Sequence, residues 1–141
     1  MAGDATESAI RAWRAEIEAM HAAGARFVVL AGLDLIGKLE VIYLFHHEGQ
    51  LKEVKLQVPY DVEFPSITDL FPSANFVERE MVDLLGAKVK GAAPFLELTE
   101  GSGIVAPLRK NAVNPRPSGK PVAPAAPAPP AAPAAAPKEA K

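Results

Sequence analysis

The sequence predicts an α+β fold in which an N-terminal helix packs on a three-stranded antiparallel sheet and short helices follow. Three observations support this prediction: an apolar stripe at helical spacing near the start, three strand-like segments joined by short links that contain glycine, and a proline- and alanine-rich end. The chain has 141 residues, of which 49% are hydrophobic, so it is long enough for one domain with a modest core.

The first helix is predicted over residues 6–24, TESAIRAWRAEIEAMHAAG. Apolar residues recur there at spacings of three and four and form one stripe: Ile10, Trp13, Ile17 and Met20. We expect Asp4 or Thr6 to cap the start of the helix and Gly24 to end it. Because Trp13 belongs to the stripe, we interpret it as a core anchor rather than as a residue that stacks on a cofactor.

Three strands are predicted over residues 26–33, 38–47 and 51–58. The first is almost entirely apolar, so we expect it to be central in the sheet or covered on both faces. The third alternates apolar and polar residues, which is typical of a strand with one face in the core. The two links are too short for crossover helices, and the three strands should therefore form an antiparallel meander packed against the first helix.

Short helices are predicted after the sheet, the first of only one or two turns. Ser66 and Asp69 have the spacing of a capping box at the head of SITDLF. Asn75 and Glu78 repeat this signal at the head of the next helix, which should end at Gly86.

The composition changes at Pro107, which divides the chain into a domain, residues 1–106, and a tail, residues 107–141. Ten of the 14 prolines lie in the tail, mixed with alanine, so we expect this segment to be disordered or extended. The domain has 9 basic and 16 acidic residues, a net charge of −7, whereas the tail has 6 and 1, a net charge of +5. An acidic domain argues against nucleic-acid binding.

The sequence also indicates the compartment. No apolar run approaches the ~18 residues of a membrane span, and the N-terminus lacks the basic start and apolar core of a signal peptide. We therefore expect a cytoplasmic protein. The chain has no cysteine, which excludes disulfides, thiolate zinc sites and cysteine-held iron–sulfur clusters within it.

Four charged residues, Glu78, Arg79, Glu80 and Asp83, cluster on the second short helix. Glu78 and Glu80 are two residues apart, so their side chains diverge on a helix and cannot act as a catalytic carboxylate pair. Arg79 and Asp83 are one turn apart and are able to pair. The three histidines of the chain do not converge in the predicted fold, so we expect neither a catalytic site nor a metal site.

Spacing alone leaves two interpretations of this helix open. Its charges are either ordinary solvated surface charges or part of a contact surface for another protein. Composition alone favours the first interpretation. Phe76 and Val82 favour the second, because the apolar face predicted to dock on the sheet leaves them uncovered. From the residues alone the two interpretations are equal.

The segment PSITDLFPSANFVEREMVDLLGAKVKG resembles the signature of the 30 kDa subunit family of respiratory complex I, the C subunit of bacterial NADH–quinone oxidoreductase. The resemblance extends over about residues 26–91. The matching positions are Pro65, Ser66, Ile67, Thr68, Ala74, Asn75, Phe76, Glu78, Arg79, Glu80, Asp83, Leu85 and Gly86. The resemblance implies a non-catalytic subunit without a cofactor of its own, which braces the subunits that hold the redox centres.

The resemblance implies that the motif is a subunit interface. Its residues are Asn75, Phe76, Glu78, Arg79, Glu80, Asp83 and Gly86. We expect Arg79 and Asp83 to face the partner, and Glu78 and Glu80 to hold the helix against its own fold and the neighbouring chain. A basic cluster in the tail, Arg109, Lys110, Arg116 and Lys120, is expected to dock on an acidic groove of a partner or near anionic headgroups.

The chain departs from respiratory members of the family after Gly91, where it lacks a histidine and an arginine pair, and it is short. Compact relatives of this kind resemble subunits of membrane-bound nickel–iron hydrogenases of the energy-converting, CO-linked and formate-hydrogenlyase types. The partners would then be the large subunit with the nickel–iron site and the iron–sulfur small subunit, on the cytoplasmic face of the inner membrane. The alternatives are the C subunit of a respiratory NADH–quinone oxidoreductase, whose partners carry the quinone site and iron–sulfur clusters, and a free-standing adaptor; an independent hydrolase ranks last.

Overall fold

The computed structural model describes residues 2–111. The elements are α1 (Ala2–Ala22), β1 (Arg26–Asp34), β2 (Lys38–His47), β3 (Gln50–Pro59), β4 (Glu63–Pro65), a 3₁₀ turn (Pro72–Ala74), α2 (Asn75–Leu85) and β5 (Lys88–Lys90). This order confirms the predicted α+β fold, with an N-terminal helix, a three-stranded antiparallel sheet and short helical segments after it. No helix in this part of the chain is long and apolar enough to cross a membrane.

Helix α1 begins earlier than predicted. Asp4 lies within its first turn instead of capping it, a position in which its negative charge favours the helix dipole. Trp13 and Ile17 are buried, which confirms the apolar stripe and the core role of Trp13. The helix ends as expected at Gly24, which has a positive φ of 73° and donates its N–H to the His21 carbonyl at 3.0 Å.

The three-stranded sheet has the order β1-β2-β3, with β2 in the centre. The expectation that the strand over 26–33 is central or covered on both faces is wrong. Both helices pack on the same face of the sheet, α1 on β3 and α2 on β1, and leave the other face open. Val29 and Leu33 of β1 are therefore 38% and 45% exposed although they are apolar.

The core lies between the covered face of the sheet, the two helices and the segment that joins β4 to α2. Its side chains with at most 2% exposure include Trp13, Ile17, Leu39, Tyr43, Phe45, Phe64 and Ile67. Aromatic rings contact each other across it: the ring centroids of Trp13 and Tyr43 are 5.3 Å apart, and those of Phe45 and Phe71 are 5.1 Å apart.

The segment SITDLF forms a single turn, which agrees with the one or two helical turns predicted for it. The N–H of Phe71 donates to the Ile67 carbonyl at 2.8 Å, which closes that turn. Asp69 does not act in a capping box, because its carboxylate accepts from the Arg14 guanidinium of α1, with Nη2 and Oδ2 2.5 Å apart. This ion pair joins the turn to the first helix.

Residues 106–110, which we call the C-terminal strap, lie against the end of α2. Helix α2 ends at Gly86, as predicted, with a φ of 69° and an N–H directed at the carbonyls of the last turn. The strap contacts this end directly, because the Leu108 N–H donates to the Leu84 carbonyl at 2.9 Å. A Cβ at residue 86 would lie 3.1 Å from the Ala106 Cβ.

We expect Gly86→Ala to lower the free energy of unfolding by about 1–2 kcal/mol, from the strained left-handed backbone and the crowding against Ala106. Gly24→Ala is the matched control, since Gly24 has a similar φ of 73° and nothing within 4 Å of the added Cβ. Denaturant unfolding of both variants measures the difference. Equal losses of stability in the two variants would contradict a role for the strap contact.

Candidate interface site on helix α2

The Glu78 side chain is fully buried, with 0% exposure, and it faces its own chain. Its Oε1 accepts the N–H of Ile67 at 2.9 Å, and its Oε2 accepts a hydrogen bond from the Ser66 hydroxyl. A buried carboxylate with a backbone donor and a hydroxyl donor holds that backbone in place. Glu78 therefore fixes the turn after β4 against α2.

Burial raises the pKa of Glu78, and the hydrogen bonds from Ser66 and Ile67 only partly offset this effect. The pKa of Tyr43 is also raised, first by its own burial and then by the Glu78 charge. The folded state thus holds a proton on Glu78 more tightly than the unfolded state does.

Asp83 is also buried, with 6% exposure, and it organises a loop of its own chain. Its Oδ1 accepts the N–H of Phe95 at 2.8 Å, and its Oδ2 accepts those of Leu96, Glu97 and Leu98 at 2.7, 2.8 and 3.3 Å. Burial acts to raise the pKa of Asp83, but these four donors together leave it below its ordinary value. The stability contributed by this carboxylate is therefore lost as the pH falls below about 4.

Arg79 donates its Nε–H to the Ala93 carbonyl at 3.0 Å, so it contacts the loop that Asp83 holds. The expected pairing of Arg79 with Asp83 is not formed, because the Asp83 oxygens accept from backbone N–H groups instead. The structure also differs from the expectation that both residues face a partner: Asp83 is turned towards its own loop.

Asn75 does not cap α2 as predicted. The N-cap is Ala74, without a side-chain hydrogen bond, because the 3₁₀ turn at Pro72–Ala74 leads straight into the helix. Glu78 is directed at Ser66 and Ile67 and cannot complete a capping box. Among the motif residues, Asn75, Phe76 and Glu80 are exposed, and Phe76 is 67% exposed.

The first residues of the predicted tail contact the domain. The Arg109 guanidinium lies 3.5 Å from the centroid of the Tyr60 ring, and its Nε–H donates to the Leu85 carbonyl at 2.9 Å. The N–H of Lys110 donates to Asp34 Oδ2 at 2.7 Å, and this bond, with that from the Tyr60 hydroxyl, lowers the pKa of Asp34. Arg109 is thus bound to its own fold; Arg116 and Lys120 lie outside the described residues.

Sequence reasoning missed the intramolecular partners of the motif. Ser66 and Ile67 precede Glu78 by 12 and 11 residues, and the loop from Phe95 follows Asp83 by 12. The sequence feature that could have indicated these contacts is that Pro-Ser-Ile-Thr and Glu-Arg-Glu occur together in one motif. In the described part of the chain, no three histidine, aspartate or glutamate side chains are grouped so that they could hold a metal ion.

The raised pKa of Glu78 predicts the sign of a pH effect on stability. The stabilising proton is fully present below the ordinary pKa of 4.5 and is lost as the pH rises through the folded-state pKa. Glu78→Gln keeps an acceptor for the Ile67 N–H and does not ionise, so its free energy of unfolding should fall less than that of wild type between pH 4.5 and about pH 8.

Denaturant unfolding across this pH range measures the difference, and Glu16→Gln, an exposed position on α1, is the control. The control should follow the wild-type curve. Parallel curves for wild type and Glu78→Gln would show that Glu78 does not titrate differently in the folded state.

Comparisons with known proteins identify the family of this chain. The sequence matches the respiratory-chain NADH dehydrogenase 30 kDa subunit family over residues 7–117. The NADH-quinone oxidoreductase C subunit of Ruegeria pomeroyi is 35% identical over 77 residues, which cover 52% of this chain and 38% of that protein. The corresponding C subunit of Moorella thermoacetica is 33% identical over 78 residues, covering 52% and 53%.

Among solved structures, the trypsin-resistant fragment (1-134) of Nqo5 in a P63 crystal form is similar, with a TM-score of 0.47 and 29% identity over 58% of this chain and 72% of that one. The chain spans about a third to a half of the length of the curated relatives it matches. Since the family match extends over most of the chain, this protein belongs to the 30 kDa subunit family of the respiratory-chain NADH dehydrogenase.

Proposed function

We propose that this chain is a non-catalytic structural and assembly subunit of a membrane-associated nickel–iron hydrogenase complex related to complex I. The observation that supports this proposal best is the use of the motif charges. Glu78 and Asp83 are buried and bound to backbone and hydroxyl donors, so their chemical role is to shape the domain.

The loop after Gly91 supports the hydrogenase context over the respiratory one. In place of the histidine and arginine pair of respiratory members, the chain has Ala92-Ala93-Pro94-Phe95-Leu96-Glu97. These residues fold back on Asp83 and Arg79, and the C-terminal strap then returns to α2. A loop that folds back on its own helix suits a compact subunit better than it suits a subunit with an arm that extends over a large partner.

The proposed partners are the hydrogenase large subunit and the iron–sulfur small subunit. They would carry the nickel–iron centre and the clusters, and this chain would brace them for electron transfer without a cofactor of its own. The chain would be held at the cytoplasmic face of the inner membrane through these partners.

A second candidate is the C subunit of an NADH–quinone oxidoreductase. It is favoured by the relatives from Ruegeria pomeroyi and Moorella thermoacetica, both of which are named as that component of the enzyme. The two candidates share the architectural role and differ in the complex that the chain serves.

Purification of the full chain with a C-terminal affinity tag from its native membranes, in mild detergent, tests the proposal. We expect a stable multi-subunit complex that reduces methyl viologen with hydrogen and does not oxidise NADH. In high salt or denaturant, the partner subunits should dissociate from the tagged chain before the tagged chain itself unfolds.

Three other results have distinct meanings. A complex that oxidises NADH without hydrogen-dependent activity would support the second candidate. A tagged chain that elutes alone from active membranes would indicate a free-standing adaptor and contradict both proposals. Tightly bound metal in the isolated chain after a chelator wash would contradict a cofactor-free subunit.

A further inference from the structure

The two edges of the sheet differ in how they are protected from further pairing. The outer edge of β3 carries charged residues, among them Lys52 and Lys55, which discourage the addition of another strand. The β1 edge pairs with β2 on one side only, and it has no charged residue between Arg26 and Asp34. The β-bulge between Phe27 and Val29 protects the start of this edge, but residues 29–33 carry no charge or proline that would discourage an added strand.

On the open face of the sheet, the β1 side is likewise less charged than the β3 side. On β1 and β2 this face carries the apolar side chains Val29, Ala31, Leu33, Ile42 and Leu44, together with Glu40, which is paired in register with Leu33 and accepts from Gln57 of β3. On β3 it carries Glu53 and Lys55, which form an ion pair at 2.9 Å. Most of the apolar area therefore lies towards the β1 edge and has a polar rim, as in protein interfaces, while Leu51 stands apart from it at the start of β3.

A groove of about 170 Å³ runs beside the β1 edge on the covered face of the sheet. We call it the β1–α2 groove; its lining includes Leu30, Val77, Glu80, Met81, Leu84 and Leu108. A strand added to β1 would direct alternate side chains to opposite faces of the sheet. One set would enter the groove and the other would cover the open apolar face.

Glu80 is the charged motif residue that the domain does not use. It lies at the groove, is exposed and makes no hydrogen bond or ion pair within the described residues, unlike Glu78, Arg79 and Asp83. Phe76 precedes it by one helical turn and is 67% exposed. Together they extend the apolar groove with a flat aromatic contact and a single negative charge.

We propose that the β1–α2 groove binds an extended segment of a partner subunit, which pairs with β1 as a fourth strand. The proposal rests on the proposed function, since it requires a complex. The segment is uncharged where it faces β1, places an apolar side chain in the groove and presents a lysine or arginine to Glu80. The β-bulge between Phe27 and Val29 limits the regular pairing to residues 29–34.

The tail of this chain is an unsuitable occupant of the same edge. Residues 112–141 contain nine prolines, each of which lacks the backbone N–H that a strand needs for pairing. A second copy of the chain is also disfavoured. The proposed occupant presents a lysine or arginine to Glu80, and β1 of a second copy has no basic residue between Arg26 and Asp34 to do so.

Leu33→Lys tests the proposal by placing on the β1 edge the type of charge that protects β3. Leu33 is 45% exposed, so the domain should stay folded, but the amount of partner subunits that co-purify with the tagged full chain should fall about tenfold or more. Leu51→Lys, a 65% exposed position on β3, is the matched control and should co-purify as wild type does.

Charge reversal at the groove is a second, independent variant. Glu80→Lys should also reduce co-purification, by roughly tenfold, because it places like charges together, and Glu16→Lys on α1 should have no effect. Circular dichroism and unfolding curves of all four variants show whether each domain is folded. A Leu33→Lys chain that is unfolded would itself contradict the assignment of an exposed, unpaired edge.

The absence of cysteine permits a direct identification of the occupant. Ala31→Cys, labelled with a benzophenone maleimide on the purified full chain and then assembled with its partner subunits, should cross-link to one uncharged, proline-free stretch of a single partner subunit. Lys55→Cys on β3 is the control and should not cross-link to that stretch.

The possible results distinguish a failure of the strand-addition inference from a failure of the proposed function. If the wild-type chain assembles and Leu33→Lys and Leu51→Lys assemble equally well, the strand-addition inference is wrong and the structural role stands. Cross-links from Ala31→Cys to the tail or to a second copy would also overturn the inference. A wild-type chain that assembles with no partner would overturn both.

Discussion

The hydrogen bonds of the buried Glu78 carboxylate determine how the second half of the domain is arranged. They hold Ser66 and the Ile67 N–H against α2, and so they set the turn that follows β4. That turn presents Asp69 to Arg14 of α1 and inserts Ile67 and Phe71 into the core. Removal of the carboxylate would leave a buried N–H without an acceptor, at a cost of ~1–3 kcal/mol, and would loosen the link between the two helices.

Helix α2 therefore acts mainly within its own chain. Glu78 holds the turn on one side, and Asp83 and Arg79 hold the loop of residues 92–98 on the other. A dense set of charges on a short helix is explained by the irregular backbone on both sides of it, whose N–H groups require acceptors. Phe76 and Glu80 are left exposed, and Glu80 lines the groove beside the β1 edge.

The features that short-range patterns determine could be predicted from the sequence. The stripe with Trp13, the hairpin links and the terminating Gly86 each depend on neighbours within a few residues. The position of β1 at an edge could not be predicted, because an apolar strand looks the same whether its own chain or a partner covers it. The capping boxes failed for a related reason: Glu78 and Asp69 bind groups more than ten residues away.

Native-state hydrogen exchange at the amides of Ile67 and residues 95–98 tests the organising role of α2 most directly. In wild type all of these amides should be protected. Glu78→Ala should speed exchange at Ile67 while leaving 95–98 protected, Asp83→Ala should do the reverse, and Glu80→Ala should change neither set. Two results would contradict this account. One is that, in wild type, the amides of Ile67 and residues 95–98 exchange as fast as in an unfolded chain. The other is that their exchange rates do not respond to Glu78→Ala and Asp83→Ala.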